Sequence, residues 1–117
     1  MYKRYVDHVI VIAREDAIEK IKNFVNSSHP SIQFTLENEK NNKISFLDIE
    51  IIRSENAPAK TNWFRKNTFS GPYLNFFSHH PVAQKKAFVY NSVEKSILLS
   101  YPEFRNDNIE QLYFFVF

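Results

Sequence analysis

Tyr5-Val6-Asp7-His8, followed by Val9-Ile10-Val11-Ile12, is the stretch from which the rest of the chain is read. The second tetrad is β-branched throughout, which favours an extended strand. Met1-Tyr2 and Val6 supply apolar positions ahead of it. Two short strands joined by a tight polar turn at Asp7-His8 would form a hairpin, with the Asp7 carboxylate at its exposed tip. The turn lacks the Asn-Gly or Asp-Gly pair of the commonest hairpins.

Working outward, Arg14 to Ser28 reads as an amphipathic helix. Ala17, Ile18, Ile21, Phe24, Val25 and Ser28 share one face, and Glu15 and Asp16 sit in the first turn, where the helix dipole favours acids. This helix is expected to cover a sheet, and His29, beside the Pro30 that ends it, to lie in a solvated loop. Ile32, Phe34 and Leu36 alternate with polar residues, which predicts a strand with one buried face. A further strand is expected from Ile44 to Arg53. Its apolar phase slips at Phe46-Leu47, which predicts a bulge and puts Asp48 and Glu50 on one side. Paired carboxylates can hold a cation, but a solvent-facing pair is the favoured reading. Thr61 to Lys66 predicts another strand, with Trp63 and Phe64 on opposite faces.

Asn67 to His80 contains the only glycine and has no periodicity, so it reads as a connector with Tyr73, Phe76 and Phe77 as aromatic anchors. A second long helix opens near Pro81, a residue suited to the first helical position, with Ser78 as a candidate cap. Val82, Lys86, Val89, Val93 and Ile97 give it a stripe continuing to Leu98 and Leu99. Tyr101-Pro102 ends it, and a last helix is expected from Asn108, capped by Asn106 or Asp107. Two helices across a short turn fit a helix-turn-helix arrangement. The apolar ending Leu112 to Phe117 fits no motif.

The fold class expected is α+β: a small antiparallel sheet, made of the hairpin and two to three further strands, packed with one helix and followed by a C-terminal helical segment. The expected boundaries are 1–66 and 67–117.

Composition limits the function classes. The chain has 117 residues, 44% hydrophobic and 24% charged, which suits a globular chain with a core. It has no cysteine, so disulfides and thiolate zinc sites are excluded. No secretion signal or membrane span is read, so an intracellular location is expected. The net charge of +2 conceals a segregation. Asn56 to Val93 carries Lys60, Arg65, Lys66, Lys85 and Lys86 and no acid, whereas both flanks are net acidic. Such a segment attracts phosphates, although a solvated basic face has the same composition. Lys85 and Lys86 lie at a helix start, where the dipole disfavours cations and the backbone N–H groups favour an anion. His79-His80 as metal ligands are disfavoured, because neighbouring residues point apart and no third ligand is near in sequence. For Arg65, an alternative is that its stem packs on aromatics at a strand end.

Arg4-Tyr5-Val6-Asp7 before an apolar strand resembles the Tyr-x-Asp-Asp hairpin of reverse transcriptases, with His8 in place of the second Asp. Ser45-Phe46-Leu47-Asp48-Ile49, Trp63-Phe64-Arg65-Lys66-Asn67-Thr68, Tyr73-Leu74-Asn75, Ser78-His79-His80-Pro81 and Lys85-Lys86 follow in the order seen in Penelope-like retroelements. The resemblance reaches to about Arg105. It implies a partial palm over residues 1–66, then a connector and a thumb or helix-turn-helix-like segment. It makes Asp7 a vestigial catalytic residue and Mg²⁺ ligand (Mn²⁺ serving as well), and Arg65, Lys66, Thr68, His79, His80, Lys85 and Lys86 the primer–template contacts. In the family order the other palm Asp lies before Met1, so no polymerase activity and no bound metal are expected of this chain. RNA or DNA is the expected partner, with no membrane and no small-molecule substrate. The alternative function is a small helix-turn-helix-like nucleic-acid-binding module without catalysis.

Overall fold

A computed structural model describes residues 1–66 and 77–116. They form two units, Met1–Lys40 and Asn41–Phe117. The architecture is α+β, with antiparallel strands in both units and the last two helices at the C-terminal end.

In the first unit, β1 (Tyr2–Tyr5) pairs with β2 (His8–Val11), Tyr2 facing Val11 and Tyr5 facing His8. Met1 and Ile12 extend the ladder by exchanging backbone hydrogen bonds of 2.8 and 3.0 Å. The connection is therefore Val6-Asp7, one residue earlier than the Asp7-His8 expected, and His8 opens the second strand. Val6 has φ 52°, a left-handed value that a β-branched residue adopts only under strain. With a single glycine in the chain, spent elsewhere, this tight turn has to use an ordinary residue.

α1 (Glu15–Ser27) follows, close to the expected span. Ala17, Ile18, Ile21 and Val25 are half-buried, but Phe24 is 74% exposed and no residue of the helix is fully buried. Among the described residues, α1 packs extensively on neither strand of the hairpin, so its expected role as a sheet cover is not realised there. The alternating stretch around Ile32, Phe34 and Leu36 is not a strand. The Asn26 side chain takes the place of a neighbouring strand: its Oδ1 accepts from the Phe34 N–H at 2.6 Å and its Nδ2 donates to the Phe34 carbonyl at 3.2 Å. One amide satisfies both backbone groups of Phe34, as a ladder would, but only at one residue.

The second unit opens with a three-stranded meander: β3 (Lys43–Phe46), β4 (Ile49–Ile52) and β5 (Lys60–Trp63), in that spatial order. The single strand expected from Ile44 to Arg53 is thus a hairpin. The phase slip at Phe46-Leu47 marks a chain reversal at Leu47-Asp48 rather than a bulge, and Leu47 has φ 56°. Ile44 faces Ile51, Phe46 faces Ile49, and Ile49 faces Trp63, giving cross-strand apolar pairs.

α2 (Val82–Leu98) and α3 (Pro102–Val116) complete the unit and pack together. Pro81 is the N-cap of α2 and lies one residue outside it; no side chain caps that end, Ser78 included. The apolar stripe expected on α2 is covered only in part: Val89, Val93 and Leu99 are half-buried. Val82 and Leu98 are 66% and 72% exposed, whereas Ser92, Ser96 and Ser100 are buried in a row at four-residue spacing. Such small side chains let the backbones of neighbouring elements approach closely. The last helix begins at Pro102 rather than Asn108, because proline is well suited to a helix start. Asn108 and Leu112 are buried on it, one turn apart.

Candidate nucleic-acid interface

The turn Leu99–Tyr101 holds the two helices to the sheet. Its Tyr101 N–H donates to the Thr61 carbonyl at 2.8 Å, and the Ser100 Oγ accepts from the Trp63 N–H at 3.1 Å. These bonds pair the Thr61 carbonyl and the Trp63 N–H on the outer side of β5, an edge strand. Asn108 Nδ2 donates to both Ser100 Oγ and Asn62 Oδ1 at 2.8 Å, and Arg105 Nε donates to the Ser100 carbonyl at 3.2 Å. Ser100 is thus the hub of a buried polar network joining β5, the turn and α3. Lys60, whose Nζ lies 2.9 Å from both carboxylate oxygens of Glu103, adds an outer tie and sits 5.6 Å from the Tyr101 ring.

Against this frame the nominated cations separate into two kinds. Arg65 stacks 4.4 Å from the Trp63 ring centre and donates from Nη2 to Gln111 Oε1 at 2.8 Å. That is the packed strand-end role named as its alternative, and it joins β5 to α3. Lys85 donates to the Ser78 carbonyl at 2.6 Å and is half-buried. Lys66 and Lys86 are exposed, with no side-chain partner among the described residues. His79 is exposed, and His80 Nδ1 lies 3.0 Å from Ser78 Oγ. Thr68, Tyr73 and Phe76 lie outside the described residues; Phe77 is 90% exposed.

The acidic candidates do not converge. Asp7 is 82% exposed at its hairpin tip, with His8 Nε2 3.8 Å away. Asp48 sits in the Leu47-Asp48 turn and pairs with Lys95 at 2.8 Å, while Glu50 faces Lys43 at 3.6 Å. Each carboxylate has its own lysine, so Asp48 and Glu50 do not form a shared cation site. Among the described residues no group of three or more His, Asp or Glu comes together.

The network at Ser100 is the feature that sequence reasoning missed. Serines at 92, 96 and 100 with an asparagine at 108 carried the signal, because small polar residues repeated every four positions mark a close helix contact. Among the described residues no helix is long and apolar enough to cross a membrane.

Residues 73–114 match the family model described as the animal helix-turn-helix domain. No curated protein and no solved structure matches the chain.

Proposed function

We propose that the α2–turn–α3 segment is a helix-turn-helix module that binds nucleic acid without catalysis. The observation that carries this reading is the family match lying over two helices whose three-residue turn is fixed by Ser100. A fixed turn is what such a module needs, since it sets the angle at which a helix meets a groove.

The charges decide how the contact is made. The matched span carries Lys85, Lys86, Lys95 and Arg105 against Glu94, Glu103, Asp107 and Glu110, so it is neutral. Asp107 and Glu110 are exposed on α3, which disfavours that helix as the phosphate-facing element. The start of α2 is better suited: it offers Lys86, His79 and unpaired backbone N–H groups at the positive end of the helix. Of the cations nominated from the sequence, Lys66 is the other without a side-chain partner among the described residues. Arg65 and Lys85 serve the fold first.

The test is an anisotropy titration of the full chain against single- and double-stranded DNA and RNA at two salt concentrations. If Lys66 and Lys86 each neutralise one phosphate, log affinity falls against log salt with a slope of roughly −2. The K66A/K86A variant should flatten that slope. Absence of binding at low salt would overturn the proposal.

The reverse-transcriptase resemblance has one observation on its side, the Asp7 carboxylate exposed on a hairpin tip. Nothing in the comparisons supports it. The tip residues also do not fit a magnesium site: catalysis with two metals needs hard oxygen ligands around ions about 3.5–4 Å apart, and among the described residues the side chain beside Asp7 is an imidazole. On this reading a primer-extension assay on poly(rA) with Mg²⁺ or Mn²⁺ gives no incorporation by this chain; clear incorporation would restore the polymerase reading.

A further inference from the structure

A ridge on α2 extends well beyond the phosphate contact assigned to Lys86. Val82, Lys86, Tyr90, Glu94 and Leu98 follow one another at four-residue spacing, and all five are exposed. Tyr90 is 74% exposed, Val82 66% and Leu98 72%. The opposite face of the same helix buries Ser92 and Ser96. The helix turns Ser92 and Ser96 inward, half-buries Phe88, Val89 and Val93, and leaves Val82, Tyr90 and Leu98 outward. A soluble helix normally turns large apolar groups inward, and an outward apolar row marks an interaction surface.

The order of residues along that ridge identifies the partner. Read in either direction it runs apolar, charged, aromatic, charged, apolar, and the two charges are opposite. Laid antiparallel on a copy of itself about an axis through Tyr90, it sets Lys86 against Glu94 of the second copy, twice. It also sets Tyr90 against Tyr90, whereas Val82 and Leu98 lie roughly 80° round the helix to either side, at the margins of the contact. A two-fold interface requires this kind of self-complementarity, and an unrelated partner would not. Neither Lys86 nor Glu94 has a side-chain partner within the chain among the described residues. Beside the ridge, Val93 and Ile97 line a shallow groove with Tyr90, Glu94 and Leu98, which receives the facing side chains.

We infer that the chain associates with a second copy of itself through α2, antiparallel, with Tyr90 on the two-fold axis and Lys86–Glu94 pairs at both ends. A lysine ammonium has three donors, so a rim pair of this kind leaves Lys86 able to reach a phosphate as well. The pair sets register, and Tyr90 with the groove at Val93 and Ile97 supplies most of the attraction.

The test is sedimentation equilibrium of the full chain over a rising concentration series. The expected result is a reversible monomer–dimer equilibrium that Y90D abolishes. K86E and E94K each place like charges together at two sites and should weaken association about tenfold. The double variant K86E/E94K reverses both charges and should restore it, which loss of folding could not do. Its nucleic-acid binding should not recover, so the two uses of Lys86 separate. Because the chain has no cysteine, Y90C carries a single thiol on the axis and should oxidise to a disulfide-linked dimer, whereas E110C on α3 should stay monomeric. A monomer at all concentrations, a dimer indifferent to Y90D, a double variant as weak as the single ones, or equal cross-linking of Y90C and E110C would each overturn the inference.

Discussion

The two hairpins of this chain share a turn design and differ in everything around it. Both reverse direction over an apolar residue followed by aspartate, Val6-Asp7 and Leu47-Asp48, and both hold the first of these at positive φ. The β1–β2 hairpin stops at two strands, and its unit contains no fully buried residue. The β3–β4 hairpin gains a third strand whose outer side is closed by the Ser100 turn, and its tip is tied to α2 through Asp48 and Lys95. An isolated two-stranded hairpin is marginal in water. The comparison teaches that the same strained turn closes a hairpin with or without surrounding support, and that only the second hairpin is tied into a wider set of contacts.

The largest effect should come from Leu112, the one fully buried apolar residue among those described. L112A should destabilise the second unit by about 2–4 kcal/mol in urea unfolding while leaving hydrogen exchange of the β1–β2 amides unchanged. Parallel loss in both would erase the distinction between the regions. Next is N108A, which removes the shared donor of Ser100 and Asn62. The buried Ser100 Oγ and the half-buried Asn62 Oδ1 each lose a donor, and a loss of about 1–3 kcal/mol is expected by the same measurement.

Smaller and opposite in sign is L47G. Glycine accepts positive φ without a side-chain clash, so relief of strain should outweigh its added chain entropy and raise stability by about 0.5–1 kcal/mol. V6G should likewise increase protection of the first hairpin, read by amide exchange; a loss of protection in either would deny that these turns are strained. D48N should act least. Both partners of the Asp48–Lys95 pair are at least half exposed, so the loss should stay below about 1 kcal/mol and shrink further in high salt.

Legibility followed how local each signal was. The first hairpin and α1 were readable because β-branched and helical periodicities are written within a few residues. The Leu47-Asp48 reversal was hidden: without glycine or asparagine there, a change of apolar phase looks the same for a bulge and a turn. Alternation at Ile32, Phe34 and Leu36 suggested a strand, yet a strand needs a neighbour, and the Asn26 amide met the only demand at Phe34. On α2 the ends of the hydrophobic pattern, Val82 and Leu98, are exposed and Val89 and Val93 are half-buried, while the buried positions are serines. The Arg65 site was half legible: aromatic packing of its stem could be named from Trp63 beside it, but Gln111 lies too far along the chain to be foreseen.

The central claim is that the α2–turn–α3 segment, neutral over the span matched by the helix-turn-helix family model, binds nucleic acid through few phosphate contacts. Salt-dependent anisotropy of the full chain beside K66A/K86A tests it most directly. The account requires measurable binding at low salt, a slope of roughly −2 that flattens in the double variant, and no change in fold by circular dichroism. No binding at low salt, or a slope that the double variant leaves unaltered, would contradict it.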